Sequence, residues 1–353
     1  MNEIQNKKIA VALSGGVDSS VTALLLKKQG YEVVGITGKM VNDDNFDAVC
    51  KNAKEVADKL KIEHYVLDLS EDFQNNIIDY FINSYKNGET PNPCIVCNKT
   101  IKWGKILDYA ISELGCNYIA TGHYASIKEV DGQFLLYPAT DERKDQLYYL
   151  YELNQKQLSK TIFPLSGMEK SQIRQIAIDN DLPSKSSKES QDICFIKKPY
   201  TTKKFLLEHI KAKQGEFVLQ KTGEKIGVHN GAFQYTVGQR KGIGIAYSEP
   251  LYVTKTDTQK NIVYCGVKNE LLSEGLVLND FNLHDKNFKV GECFVKIRYN
   301  MNAVKAKAEI NEAEVKIHFI ELVSGITSGQ ACVIYDKKDG HLIGGSRIKN
   351  GEN

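Results

Sequence analysis

Short apolar runs of strand length alternate with helical patterns through the first 200 residues. The runs are "IAVAL", "YEVVGIT", "HYVLDL" and "NYIAT", and "AVCKNAKEVADKL" and "NKTIKWGKILDYAISELG" separate them with helical spacing. That alternation predicts an α/β fold, a doubly wound parallel sheet that binds its ligand at the carboxyl ends of its strands. A later helix, "SGMEKSQIRQIAIDN", opens with Ser166 and Glu169 at capping-box spacing. Beyond residue 200 the period changes. In "ECFVKIRYN", Cys293, Val295, Ile297 and Tyr299 alternate with Phe294, Lys296 and Arg298, and "AEVKIHFIEL" and "ACVIYD" continue as short strands. Period-two alternation in short segments predicts a small C-terminal antiparallel β-barrel. The glycine-rich, basic "YTVGQRKGIGIAY" suits neither period, and residues 203–277 around it are expected to form a small linking domain. The expected domains are therefore 1–202, 203–277 and 278–353.

The turn after the first strand carries the first chemistry. "SGGVDSS", Ser14 to Ser20, places Gly15 and Gly16 where a strand becomes a helix, and the helix that follows has Val21, Leu24 and Leu25 on one face and Gly30 as its stop. Free amide groups and the positive end of the helix dipole favour phosphate there, and serine hydroxyls add donors. The Walker A lysine is missing. Asp18 would repel a phosphate unless hydrated Mg2+ lay between them, so the loop points to a metal-bound nucleotide. The plainer alternative is a glycine turn with a serine cap. The heptad resembles the pyrophosphate (PP) loop of the ATP pyrophosphatases, which split ATP between its α and β phosphates and adenylate a substrate oxygen. That resemblance sets the reaction type and leaves the substrate open.

Composition narrows the class. The chain has 353 residues, 42% hydrophobic and 25% charged, which is ordinary for a globular protein of two or three domains. It has no apolar run of membrane-spanning length, and "MNEIQNKKIA" lacks a signal-peptide pattern, so a cytoplasmic location is expected. Eight cysteines are too sparse for a disulfide scaffold and suit catalysis, redox chemistry or metal binding. The net charge of +2 conceals −3 on residues 1–200 and +5 on residues 201–353, which makes the second part the expected polyanion-binding surface.

The run "TPNPCIVCNKTIKWG" is the most informative. Pro91 and Pro93 stiffen its approach, and Cys94 and Cys97 precede a helix whose N-terminus would lower a thiol pKa. The alternative is a pair of half-buried structural thiols. Cys194, in "ESQDICFI", is bracketed by apolar residues that also suit a core position. Taken in order, "PNPC..CN", "TGHYA", "KDQLYYLY", "SQDICFI", "YTVGQRKGIGI" and "RYN" run across almost the whole chain. On these motifs the chain resembles the bacterial tRNA 2-thiouridylases, which replace O2 of the wobble uridine of certain tRNAs with sulfur.

The resemblance implies that Cys97 is the nucleophile and that Cys194 carries a persulfide. It implies ATP contacts at Ala12, Leu13, Ser14, Gly15, Gly16, Val17, Asp18 and Ser19, and at Gly38 and Gly122. It places the target base near Asn92, Pro93 and Cys94, and near Arg298 and Tyr299. Further tRNA contacts fall at His123, Lys144, Asp145, Gln146 and Gln330. A histidine capping a strand end and a solvated loop are the plainer readings of His123 and of "RKDQ".

Carbonyl oxygen is a poor leaving group, so adenylation turns it into AMP, which sulfur then displaces. Cys97 would attack the Cys194 persulfide after sulfur reaches C2, closing a transient disulfide, or would help liberate sulfide. Either route needs an extruded uridine and shape and phosphate contacts to the rest of the tRNA. The expected partners are a tRNA with a wobble uridine and a persulfide sulfur donor such as a cysteine desulfurase or relay protein, and the expected cofactors are ATP and Mg2+. This chain departs from the family's familiar form, which has aspartate where Cys94 stands. With Cys94, Cys97 and Cys194 as three thiolate ligands, a 4Fe–4S cluster is the alternative to the relay, and zinc also fits the C-x-x-C spacing. Rival functions are a small-molecule adenylating enzyme of the same loop class and an RNA-binding protein with a regulatory nucleotide site.

Overall fold

The apolar runs of the first part pair in parallel. In a computed structural model, which describes residues 7–187, 193–197 and 199–349, they form β1 (Lys8–Ala12), β2 (Glu32–Lys39), β3 (Glu63–Asp68) and β4 (Tyr118–Ala120). A hairpin, β5 (Ser126–Val130) and β6 (Gln133–Tyr137), stands apart, and the short β7 (Thr161–Ile162) completes a sheet of order β3-β2-β1-β4-β7. All four pairings in that sheet are parallel. Ile9, Ala10 and Val11 are fully buried, as expected of a strand covered on both faces. Helix α1 (Val17–Lys28) follows β1, and α2 (Asp44–Leu60) follows β2. The Asp43 side chain accepts from Phe46 N at 2.8 Å to cap α2.

The strand order turns outward in both directions from β1, with β2 on one side and β4 on the other. This is the topological switch point, where such sheets open a crevice at the strands' carboxyl ends. The "SGG" turn lies there. The later helix begins further along than its expected capping box. Glu169 caps Lys170–Asp179 with Gln172 as its partner, because Ser166 belongs to the turn before it, donating its amide to Phe163 O.

Two compact units divide the described chain: residues 7–77, 94–187 and 339–342, and residues 78–93, 193–197, 199–338 and 343–349. The second unit holds a four-stranded sheet of order β10-β11-β8-β9, from β8 (Gly215–Leu219), β9 (Lys225–His229), β10 (Tyr252–Asp257) and β11 (Ile262–Gly266). Phe217, Val253, Val263 and Cys265 form its core. The "YTVGQRKGIGIAY" segment is the connection between β9 and β10, with Gly238, Gly242 and Gly244 at positive φ.

The same unit ends in a curled sheet of order β12-β16-β15-β14-β17-β18-β13. Its strands are β12 (Leu272–Leu278), β13 (Asn282–Leu283), β14 (Val290–Lys296), β15 (Val304–Ile310), β16 (Val315–Ser324), β17 (Ala331–Asp336) and β18 (Leu342–Arg347). Cys293, Val295 and Ile297 point into its core as their alternation predicts, whereas Tyr299 lies past the strand end and is only half-buried. Among the described residues, no helix is long and apolar enough to cross a membrane.

Candidate active site

Two glycines let the first turn close. Gly15 has φ +71°, and a Cβ there would lie 2.7 Å from Asn52 Cβ, so only glycine fits between the turn and α2. Gly122, just after β4, is held equally tightly: a Cβ would lie 2.8 Å from Asp18 Cβ and 3.0 Å from Ser19 N. The end of β4 therefore lies directly against the first turn of α1. Ala12 ends β1, and Leu13 N continues the pairing to Ile36 O at 2.8 Å. Gly38 ends up under Met40 and Leu69 near the end of β2. The N-cap Gly16 offers no side chain, which leaves the first amides of α1 for an anion. Ser19 and Ser20 both turn their hydroxyls back to Gly16 O, at 3.1 and 2.7 Å, and Ser14 Oγ lies 3.2 Å from Ser19 Oγ.

Asp18 is already paired. Lys170 Nζ lies 2.7 Å from both of its carboxylate oxygens, and Tyr124 donates its hydroxyl to Oδ1 at 2.8 Å. The Lys170 side chain is largely buried, and its backbone amide donates to the buried Asp141 at 3.1 Å. Neither Lys170 nor Tyr124 stood out in the sequence as a partner of the loop. Lys170 lies 152 positions from Asp18, and no local spacing relates the two.

The cysteine helix begins at Pro93, so Cys94 and Cys97 lie inside its first turns rather than ahead of it. It continues as a π-helical stretch over Asn98–Ile106 and ends as α-helix at Leu107–Ser112. Cys97 is the fifth helical residue, beyond the reach of the terminal dipole. Burial pushes its thiol up to about 11, against the pull of the Lys102 ammonium, with Cys94 adding to the rise. Cys94 opens to solvent at its surface, yet burial is also the leading influence on its thiol and moves it up, again opposed by Lys102. Both thiols are thus moved up where the helix N-terminus was expected to lower them.

Lys102 also faces His123, with Nζ 3.5 Å from Nε2. Thr121 Oγ1 lies 2.8 Å from Nδ1, and the ring packs near Trp103 and Phe163. Burial and then Lys102 hold the His123 pKa well below its ordinary value, so the imidazole is neutral.

The remaining residues implied to touch tRNA are mostly engaged in shaping loops. Lys144 ends a short 3-10 turn. Asp145 accepts from Ala139 N and Leu147 N at 3.2 and 3.1 Å, and Gln146 accepts from Tyr124 N at 3.0 Å. Arg298 donates through Nη2 to Val237 O at 2.9 Å and Gly325 O at 2.6 Å, and also to Thr327. Gln330 donates to Thr90 O at 2.7 Å. Cys194 is exposed on a turn, not in a core. Ser190, Gln191 and Asp192 of its motif lie outside the described residues.

Comparison with known proteins covers nearly the whole chain. The family described as tRNA methyl transferase HUP domain matches residues 7–198, the tRNA methyl transferase PRC-barrel domain matches 203–267, and the aminomethyltransferase beta-barrel domain matches 273–348. A tRNA-specific 2-thiouridylase of Helicobacter pylori is 42% identical over 97% of this chain and 99% of its own. One from Fusobacterium nucleatum is 40% identical over 98% of this chain and 94% of its own, and one from Clostridium botulinum is 41% identical over 97% and 99%. Among solved structures, the U34-tRNA thiolase NcsA from Methanococcus maripaludis with its 4Fe–4S cluster is 21% identical. It covers 59% of this chain and 65% of its own at a TM-score of 0.35, too slight a likeness to carry a conclusion.

Proposed function

The chain belongs to the tRNA-specific 2-thiouridylase family, and from that premise we propose how its residues divide the work. It is a tRNA sulfurtransferase that uses ATP at its PP-loop. We propose that ATP sits with its phosphates on the Ser14–Gly16 turn and the first amides of α1, and that uridine O2 attacks its α phosphate and releases pyrophosphate. Cys194 then delivers the terminal sulfur of its persulfide to C2, AMP leaves with the former carbonyl oxygen, and Cys97 attacks the remaining sulfur link to close a disulfide. Thiol reductant regenerates both cysteines.

The observation that supports this division is the exposure of Cys194 on a turn, set against a partly covered Cys97. A persulfide donor protein needs the first kind of site, and a reaction that must exclude water needs the second. Lys144, Asp145, Gln146, Arg298, Tyr299 and Gln330 belong in this reading to the tRNA-facing surface or its support, with the domains at 1–202, 203–277 and 278–353. A cytoplasmic enzyme fits a tRNA substrate.

Asp18 is the residue that would hold Mg2+, which would neutralise charge on the phosphates. Both Asp18 oxygens lie 2.7 Å from Lys170 Nζ, so the metal would share the carboxylate with that ammonium. Cys94 and Cys97, three apart on one helical turn, fit two positions of a cluster completed by Cys194, and metal binding deprotonates thiols that burial has pushed up. A cluster would supply an open iron for sulfide. We favour the relay, which requires only Cys97 and Cys194.

The test incubates the protein with ATP, wobble-uridine tRNA and a persulfide donor. AMP, pyrophosphate and thiolated tRNA are expected in equal amounts, and AMP without thiolation would sink the proposed division. Anaerobically purified wild type without iron that thiolates, together with an active Cys94→Asp, would establish the relay; an iron-replete wild type with an inactive, iron-free Cys94→Asp would establish the cluster.

A further inference from the structure

A cavity of about 400 Å3 opens in the second unit, where the helix Thr202–His209 and the residues after it meet the end of β9. Lys203 and Lys213 stand exposed on its rim, and neither has a carboxylate partner among the described residues. No acidic side chain lines it. Its walls carry the amides of Gln214, Asn230 and Gln234. Gln234 Nε2 donates to Asn230 O at 2.5 Å, which leaves Gln234 Oε1 as an acceptor with no donor among the described residues.

The lining also holds a buried donor. His229 is 5% exposed, and Gly231 N donates to its Nδ1 at 3.0 Å, which puts the ring proton on Nε2. Burial holds its pKa below the ordinary histidine value against the pull of the Glu216 backbone, so the ring is neutral. Its Nε2–H nevertheless has no acceptor in hydrogen-bond geometry among the described residues, Glu216 included. Folded chains seldom leave a buried donor unpaired unless water or a ligand completes it. The ring is also fixed in place. Phe217 and Tyr235 pack against it at centroid distances of 5.0 and 5.4 Å, and a Cβ on Gly215 would lie 2.5 Å from its Cε1.

Two unpaired ammonium groups, a neutral N–H donor and no carboxylate select an anion, and the amide walls suit one that carries hydroxyls. A bare phosphate would leave most of this volume empty. We infer that the cavity takes one phosphate–ribose unit of the tRNA backbone: Lys203 and Lys213 hold the phosphate, the His229 Nε2–H donates to it from below, and Gln234 Oε1 accepts from the 2′-hydroxyl. Such a contact positions RNA without reading its sequence, and the 2′-hydroxyl favours RNA over DNA. The inference rests on tRNA as the substrate and is independent of the sulfur chemistry.

Binding of tRNA across a salt series tests it, with inorganic phosphate and AMP titrated beside tRNA because they offer the same chemistry. Lys203→Gln and Lys213→Gln are each expected to raise the tRNA Kd about three- to tenfold and to reduce the slope of log Kd against log salt by about 1. Lys221→Gln, at an exposed lysine outside the cavity, should move the Kd by less than about twofold. His229→Phe keeps a ring and removes the donor, so it should weaken binding with the salt slope unchanged; if that variant does not fold, the lysine variants carry the test. An unchanged Kd in both lysine variants overturns the inference, as does an equal loss in Lys221→Gln, which would reduce the effect to general surface charge. Phosphate or AMP bound by the wild type and lost by both lysine variants, with their tRNA Kd intact, would make this a site for a free anion and overturn the RNA assignment. A wild type that shows these binding effects yet forms no thiolated tRNA would sink the sulfur-transfer reading and leave the site standing.

Discussion

The ion pair between Asp18 and Lys170 decides how the PP-loop meets its nucleotide. A carboxylate at the first turn of a helix helps the helix dipole and hinders phosphate binding, and Lys170 cancels the second effect. Lys170→Met should therefore reduce AMP release about ten- to a hundredfold, the worth of a charged hydrogen bond, with tRNA binding intact. Asp18→Ala should abolish AMP release, and normal release by that variant would remove Asp18 from the nucleotide site. Three histidines carry a second prediction. Burial lowers the pKa of His64, His123 and His229. Below the ordinary histidine pKa the unfolded chain takes up protons that the folded chain refuses, so stability is lost as pH falls through about 6.5. The loss approaches about 1.4 kcal/mol per pH unit for each histidine that stays neutral. His123→Gln, which cannot titrate, should unfold at a temperature that falls less between pH 7.5 and 5.5, and parallel curves for the two proteins would place the protonation elsewhere.

The cysteine helix shows what a wide turn does to a sequence pattern. Asn98 and Trp103 are both buried, as are Ile101 and Ile106, and each pair is five apart. α-Helical spacing would put such pairs on different faces, whereas π-helical i→i+5 bonding stacks them. The same spacing relates Cys97 to Lys102, whose charge acts on that thiol. Gln157 supports the wide turn by donating to Trp103 O at 2.9 Å and Lys99 O at 3.4 Å, and Trp103 Nε1 donates to Thr161 at 2.6 Å. Gln157→Leu should cost about 1 kcal/mol by removing these side-chain hydrogen bonds to the helix. Trp103 is the chain's one tryptophan, so its emission reports on this helix alone; an unmoved denaturation midpoint would mean that Gln157 is not a support. The helix itself was legible from the apolar pattern, and so were β1 to β4 and the inward residues of β14. The π-helical stretch was visible only as five-residue spacings that an α-helical reading passes over. The start of the Lys170 helix was misplaced because Ser166 and Glu169 have capping-box spacing while Glu169 itself is the cap. Lys170, Tyr124 and Thr90 bond to partners more than a hundred positions away, and such partners leave no trace in local pattern.

At the scale of the whole chain, the segment 78–93 belongs with the second unit although it interrupts the first in sequence. Phe81 is fully buried and packs against Phe195 and Phe205, and Thr90 bonds to Thr236, Ser328 and Gln330. A fragment of residues 1–202 removes Phe205 and every partner of Thr90 while leaving the Ser14–Gly16 turn, Asp18, Gly122 and Lys170 together. It should therefore still bind ATP, with the 78–93 segment stripped of its packing and cut by trypsin at the exposed Lys86 faster than in the whole protein. The excess of +5 on residues 201–353 is lost at the same cut. Phosphate contacts supply much of nucleic-acid affinity, so tRNA binding should weaken and its dependence on salt should flatten. Both measurements are made at one salt concentration and then across a salt series. A fragment that held tRNA as tightly as the whole protein, with the same salt slope, would place the polyanion surface on the sheet of the first unit and not on the strands that follow it.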